Sequence, residues 1–213
     1  SSDLKTWPIA DALSTRLYLR ARPSGTIKPS PARPVTTESP PPNPNDGSLS
    51  TTAPAADEKP MLYTYFPENG PFLATGWTQL DGWPKVDETE FSTKAVSWTT
   101  DAMAVPTEVT GNIVFDFSAS SSAADTDFVL MVTDVAQDGS SHYVSAGYLN
   151  APHYPDMSKP NPMKRGEVRK FQMVINPIAY VFQPGHRIRF SLAGGATPLP
   201  LAGQTGAEIP GKN

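Results

Sequence analysis

The chain has 213 residues, with 17 lysines and arginines against 21 aspartates and glutamates and a formal net charge of −4. This acidic balance argues against a nucleic-acid-binding protein, which normally carries a basic stripe. The lack of cysteine excludes disulfides, thiolate catalysis and thiolate metal sites, and no apolar run approaches the length of a membrane span. The compartment stays open, since this composition suits both cytoplasmic and extracytoplasmic proteins.

The first predicted element is a short strand at residues 16–20, where Leu17 and Leu19 alternate with more polar side chains. Residues 22–60 are rich in proline, serine, threonine and alanine and offer almost nothing to bury, which predicts a long, extended insertion. A tolerated insertion is favoured over a polyproline ligand for a partner module. Aromatic and β-branched residues at 61–67 predict a return to strand structure.

Three aromatic residues follow in a glycine-rich stretch, namely Phe72, Trp77 and Trp83. Exposed side by side, their rings would form a platform on which a carbohydrate stacks. Aromatic residues in such a loop are more often its own hydrophobic anchor, and we favour that interpretation. A carbohydrate-binding module nevertheless stays open as an alternative function.

The strand signals are strongest between residues 94 and 195, where short β-rich segments are bounded by turn residues. One segment places Ile113, Phe115 and Phe117 on the same face. Residues 127–135 are almost continuously apolar, which predicts a central strand covered on both faces. No segment has a convincing helical period. The pattern predicts an all-β jelly-roll β-sandwich, with residues 1–213 as a single domain around this core.

Two turns are predicted between these strands. Asp138 and Gly139 favour a two-residue hairpin turn. Pro184 and Gly185 fit the middle of a type II turn, in which glycine supplies the positive φ.

The motifs of several enzyme classes are absent, including the G-x-S-x-G elbow, the P-loop and the G-x-G-x-x-G fingerprint. The histidines, His142, His153 and His186, lack the spacing of a zinc site on a helix. A Ser-His-Asp set assembled from distant residues would make the chain a stand-alone hydrolase, with His142 or His153 as its base. The sequence itself assigns no catalytic residue and predicts no cofactor.

Asp125 and Asp127 stand two residues apart before a predicted strand. Such carboxylates are candidate calcium ligands, because calcium takes oxygen ligands from loops. The favoured interpretation is that they close the turn by accepting backbone N–H groups, since the glycine and distal glutamate of a dedicated calcium loop are missing.

His186 precedes a strand in which it shares a face with Ile188. A histidine in that register is more often a packed residue, with its nitrogens bonded to nearby backbone, than a general base. Arg187 and Arg189 fall on the opposite face. There we expect them to pair with Asp134 or with the two aspartates before the strand, or to meet a neighbouring domain.

Three longer stretches stand in an order and spacing that chance does not explain. They are SWTTDAMAVPTEVTG at 97–111, SAADTDFVLMVTDVAQDGSSHYVSAGYL at 122–149 and YVFQPGHRIRFSL at 180–192. Together they resemble the C-terminal non-catalytic domain of the X-prolyl dipeptidyl-peptidase and cocaine esterase family of serine hydrolases. The resemblance is close over 94–195 and loose over 1–93, and the end of the chain, 196–213, departs from the family's closing segments.

The resemblance implies a galactose-binding-like jelly roll that packs against an α/β-hydrolase catalytic domain, helps to wall its active-site cleft and contributes to oligomer contacts, including those of a homo-oligomer. The family's catalytic residues precede this region, so none maps onto this chain, and X-prolyl peptides and esters both stay open as substrates of the parent enzyme. Structural roles are therefore predicted for Asp125, Asp127, Gly139, His186, Arg187 and Arg189.

Overall fold

The computed structural model describes residues 12–27, 45–65, 72–73, 87–195 and 197–198. Strands dominate these residues, and the one helix among them has a single turn. In chain order the elements are β1 (Tyr18–Arg20), β2 (Asn45–Ser50), β3 (Phe72–Leu73), α1 (Thr89–Thr93), β4 (Val96–Thr99), β5 (Thr107–Ala119), β6 (Asp127–Val135), β7 (Ser141–Asn150), β8 (Arg169–Phe182), β9 (Arg187–Ala193) and β10 (Thr197–Pro198).

Two sheets face each other across a hydrophobic core. The large sheet has the strand order β1-β2-β4-β9-β6-β7, and the small sheet pairs β5 with β8. Phe115 of β5 joins the layers, since its ring lies 6.0 Å from that of Trp98 in β4 and 5.9 Å from that of Phe190 in β9. The predicted all-β sandwich is confirmed, while its galactose-binding-like character stays a prediction.

The two clearest strand predictions are also confirmed. In β5, Phe115 is buried and Ile113 and Phe117 are partly buried, while the residues between them are exposed. β6 is buried on both faces. Leu130 and Val132 of β6 join the core between the sheets, whereas its alternate residues pack on the other face against Phe91 of α1.

Strand β2 lies inside the stretch that was predicted to bury almost nothing, and that prediction is wrong here. β2 pairs antiparallel with β1, placing Leu49 opposite Leu19, and parallel with β4. Gly47 fits because it lacks a side chain: a Cβ there would lie 2.5 Å from Cδ1 of Trp98 and 2.6 Å from the carbonyl oxygen of Arg20. Backbone pairing and close packing, rather than an apolar sequence, therefore stabilise β2.

Asp46, in β2, also ties down the segment that follows β1. Its carboxylate accepts hydrogen bonds from Oγ of Ser24 (2.6 Å) and from the backbone N–H of Gly25 (2.7 Å). Gly25 adopts a φ of +73°, a backbone conformation that glycine takes without steric cost. These contacts hold residues 24–25 against the start of β2.

Residues 61–65 do not form the predicted strand, and residues 66–67 lie outside the described residues. The segment instead packs Met61 and Tyr63 against the core, and Oη of Tyr63 donates a hydrogen bond to the carbonyl of Lys94 (2.9 Å). The side chains of Met61 and Tyr63 are therefore partly buried without any sheet pairing of their segment.

Helix α1 was not predicted, because five residues are too few to show a helical period. It buries Phe91 on the outer face of the large sheet. No helix in the described part of the chain is long and apolar enough to cross a membrane.

The two predicted turns have different outcomes. At the first, the N–H of Gly139 donates to the carbonyl of Ala136 (3.0 Å) and the N–H of Ala136 to that of Ser140 (2.9 Å). The hairpin loop therefore has three residues rather than two, and Gly139 ends it with a φ of +91°. At the second, Gly185 has a φ of +80°, and the N–H of His186 bonds the carbonyl of Gln183, which fits the type II turn.

Candidate functional site

His186 lies at one end of the sandwich, against a buried carboxylate. Its Nδ1 is 2.9 Å from Oδ1 and 3.0 Å from Oδ2 of Asp134 in β6. Oη of Tyr180 in β8 donates to the same Oδ2 at 2.9 Å. Burial, together with the hydrogen bond and charge of Asp134, raises the pKa of Tyr180, so its phenol stays protonated and keeps donating. The corner therefore links β6, β8 and the turn before β9.

This His–Asp pair has half the geometry of a catalytic triad. An aspartate on Nδ1 orients an imidazole so that Nε2 can act as a base. None of the described serine or threonine hydroxyls, however, bonds to His186, so no nucleophile completes the set there. The partner of His186 is a carboxylate rather than the backbone group that we expected from the sequence, and its structural role stays a prediction.

Neither arginine pairs with Asp125, Asp127 or Asp134, so that part of the expectation is wrong, while contact with a neighbouring domain stays a prediction. Nη1 of Arg187 donates to the carbonyl of Thr100 (2.9 Å). Arg189 is 1% exposed, and burial lowers its pKa to about 10. Its hydrogen bonds reach neutral groups on three other segments, the hydroxyls of Ser92, Thr99 and Thr26.

Asp125 and Asp127 come together on one amide. Nδ2 of Asn150 in β7 donates to Oδ1 of Asp125 (3.2 Å) and to Oδ1 of Asp127 (2.9 Å). No group of three or more histidine, aspartate or glutamate side chains placed to hold a metal ion occurs within the described residues. Calcium binding at this pair stays a prediction.

The stand-alone hydrolase alternative was tied to His142 and His153. Oγ of Ser140 lies 3.4 Å from Nε2 of His142, but this hydroxyl donates to Asp138 at 2.7 Å, and the buried Nδ1 of His142 has no hydrogen-bond partner. Nδ1 of His153 is 3.1 Å from a backbone carbonyl. Neither histidine therefore belongs to a Ser-His-Asp chain in the part of the protein that the structure describes.

The carbohydrate platform falls largely outside the described residues. Trp77 and Trp83 are not among them, and Phe72 is described only through its backbone, which pairs with Thr197. The carbohydrate interpretation stays a prediction.

A large groove opens between β5 and the β1 side of the sandwich, and sequence reasoning missed it. It has a volume of about 3040 Å³ and is lined by residues of β1, of the 54–65 segment and of β5. Strand β5 pairs with β8 along one edge, and no described strand pairs with its other edge. No sequence pattern could have revealed the groove, because it depends on how the described strands are distributed between the two sheets.

The comparisons with known proteins agree with this architecture. The model of the family described as "X-Pro dipeptidyl-peptidase C-terminal non-catalytic domain" matches residues 2–213. The chain belongs to this family. The domain is 27% identical to the cocaine esterase of Rhodococcus sp. (strain MB1 Bresler) over 202 residues, which is 92% of this chain and 32% of the esterase.

Two solved structures share the fold of the domain. An aminopeptidase from the marine sediment archaeon Thaumarchaeota archaeon superposes with a TM-score of 0.63 at 22% identity. An α-amino acid ester hydrolase superposes with a TM-score of 0.61 at 22% identity. Each match covers 71% of this chain and 28% of the other chain. The domain spans 19 to 32% of the length of the curated relatives that it matches.

Proposed function

We propose that this chain is the non-catalytic β-sandwich domain of a serine hydrolase whose α/β-hydrolase domain cleaves esters or X-prolyl peptides. The observation that carries the proposal is the family match over residues 2–213. The names of the relatives support the reaction class, since they include an esterase and an ester hydrolase.

The chemistry of the described residues supports a non-catalytic role. The His186–Asp134 pair lacks a nucleophile, and the hydroxyl of Ser140 is directed at Asp138 rather than towards an activated histidine. A serine becomes a nucleophile when its proton is taken by an oriented base, and no such arrangement exists among these residues.

Within the parent enzyme, the proposed task is mechanical. The sandwich packs against the hydrolase domain, helps to wall the active-site cleft and contributes surface to oligomer contacts. A rigid two-layer scaffold suits such a task, because loops and clefts keep their geometry when their supporting elements do not move.

A fluorophosphonate probe, which labels activated serines, tests the proposal. The 213-residue chain is expected to stay unlabelled, while the complete polypeptide that contains it is labelled and hydrolyses a p-nitrophenyl ester. Heat-denatured complete polypeptide is the control, since labelling that survives denaturation is nonspecific. Labelling of the folded 213-residue chain would contradict the proposal, as would a complete polypeptide without a reactive serine.

A further inference from the structure

Methionine is the only source of sulfur in this chain. The sequence contains six methionines and no cysteine, and all six methionines lie within the described residues. The thioether of a methionine takes up one oxygen atom from a peroxide and becomes a sulfoxide when the oxidant can reach the sulfur. The exposure of each methionine therefore decides where the chain is open to this modification.

The fold shields five of the six methionines wholly or in part. Three are at most 3% exposed, namely Met131, Met163 and Met173. Two more, Met61 and Met103, are partly buried against the core between the sheets. Met157 is the exception, because 76% of this residue is exposed.

Met157 lies in the loop that joins β7 to β8, residues 151–168, and the base of this loop is packed against the sandwich. The N–H of Met163 donates a hydrogen bond to the carbonyl of Ala124 (2.8 Å). The side chain of Met163 belongs to a small buried cluster with Phe171 of β8. The loop therefore contains one buried and one exposed methionine.

Hydrogen bonds within the loop also fix its backbone around Met157. The carboxylate of Asp156 accepts hydrogen bonds from the backbone N–H (2.9 Å) and the hydroxyl (2.7 Å) of Ser158. The carbonyl oxygen of Met157 lies 3.1 Å from Nδ1 of His153, which is within hydrogen-bond distance. These contacts hold the backbone and leave the side chain of Met157 exposed, so its exposure is a property of the folded loop.

We propose that Met157 is a site of reversible oxidation, at which hydrogen peroxide converts the thioether to a sulfoxide without unfolding the domain. The sulfur forms a bond to one peroxide oxygen, the O–O bond breaks, and the other oxygen leaves as water with the proton of the first. The sulfur is oxidised by two electrons and the peroxide is reduced by two. Methionine sulfoxide reductases, with a thiol as the reductant, return the sulfur to the thioether.

The fold explains why oxidation is harmless at Met157 and damaging at the buried methionines. A sulfoxide is polar, and at an exposed position water hydrates its oxygen. In the core the same oxygen would be a buried polar group without a partner, which costs free energy. Met173 also lacks room for it on one side, since a Cβ on Gly147 would lie 2.6 Å from Sδ of Met173. The buried methionines therefore react only when their surroundings open.

The test measures the oxidation rate at each methionine by treating the protein with hydrogen peroxide, digesting it and following the peptide masses. The complete polypeptide that contains this domain and the 213-residue chain are both treated, in buffer and in denaturant. Met163 is the matched internal control, because it lies in the same loop and is buried. In buffer we expect Met157 to react at least about tenfold faster than Met163, since a buried sulfur reacts only in the small open fraction of molecules. In denaturant the two rates should be similar.

Two variants and a reversal step complete the test. Met157→Leu conserves volume and apolar character and should remove the fast oxidation, whereas Met163→Leu should retain it. When the reaction is stopped after the fast phase, Tm should change by less than about 2 °C. The two methionine sulfoxide reductases should then return the peptide that contains Met157 to its original mass.

Several results would overturn the inference. Protection of Met157 in the 213-residue chain would mean that other segments of the chain cover the loop. Protection in the complete polypeptide alone would mean that another part of that polypeptide covers it. Faster oxidation at any other methionine, a larger fall in Tm after the fast phase, or a sulfoxide that the reductases cannot reduce would also reject it. The inference does not rest on the proposed function, which the fluorophosphonate probe judges separately.

Discussion

The substitution His186→Ala tests whether the corner at His186 holds the sandwich together. It removes the hydrogen bond of 2.9 Å to Oδ1 of Asp134 and leaves a carboxylate that is 3% exposed with Tyr180 as its remaining side-chain donor. Hydrogen bonds to charged groups contribute about 1.5–3 kcal/mol, and a buried acceptor that loses its partner costs a similar amount. We therefore expect the free energy of unfolding to fall by about 2–3 kcal/mol.

The assay is urea unfolding followed by tryptophan fluorescence, with thermal unfolding in parallel. For a domain of this size the expected loss lowers Tm by roughly 4–12 °C. His153→Ala is the matched control, since its Nδ1 contact with the carbonyl of Met157 is exposed. Surface substitutions of that kind change stability by less than about 0.5 kcal/mol.

A double-mutant cycle separates the corner from a simple loss of volume. His186 and Tyr180 share Asp134, so His186→Ala and Tyr180→Phe should be non-additive by about 0.5–3 kcal/mol. If His186→Ala is no more destabilising than His153→Ala, or if the cycle is additive, the reasoning is refuted.

Three further predictions concern the rest of the sandwich. Gly47→Ala should lower the free energy of unfolding by about 1–3 kcal/mol, because the backbone carbonyl 2.6 Å from the new Cβ cannot move aside. Ser48→Ala in the same strand is the control, and equal unfolding midpoints of the two variants would contradict the packing argument. Burial alone would raise the pKa of Asp87, but hydrogen bonds from the Thr89 side chain and from backbone N–H groups lower it below its ordinary value of 3.8. The ionised carboxylate therefore stabilises the fold above pH 3.8, and this contribution is lost as the pH falls through the lowered pKa. Acid unfolding curves should therefore show the difference between the wild type and Asp87→Asn shrinking below pH ~4, and a constant difference would count against this. Arg189→Lys should lower the free energy of unfolding in urea by about 1–3 kcal/mol, because an ammonium cannot reproduce the hydrogen bonds of the buried guanidinium to three segments. Arg187→Lys, which replaces one hydrogen bond to a carbonyl, should cost clearly less, and similar losses for the two variants would contradict this prediction.

The strands that could be predicted from the sequence are those whose own residues form a recognisable hydrophobic pattern. β5 alternates between buried and exposed side chains, and β6 is almost continuously apolar, so in both strands the residue types themselves indicate which faces are buried. β2 is different. Its residues are mostly polar or small. Glycine is needed at position 47 because Trp98, 51 positions later in the chain, leaves no room for a side chain there. The local sequence of a strand cannot predict a packing constraint that comes from a residue far away in the chain.

The same limit applies to the candidate site. The register of the strand placed His186 on an apolar face, but its partner Asp134 is separated from it by 52 positions. Arg189 was expected to seek a carboxylate, because charges usually do. The fold surrounds it with hydroxyl groups instead, and only the packing of α1 and the segment after β1 creates that environment.

The clamp that Asp46 makes on Ser24 and Gly25 has a consequence for how the sequence between them can vary. The clamp fixes the two ends of the intervening stretch beside each other at the edge of the large sheet. Once the ends are fixed, each doubling of the length between them adds only about 0.6 kcal/mol of closure entropy. The entropy of bringing these ends together therefore depends only weakly on how many residues separate them, whereas replacing Asp46 removes both hydrogen bonds that hold the ends side by side.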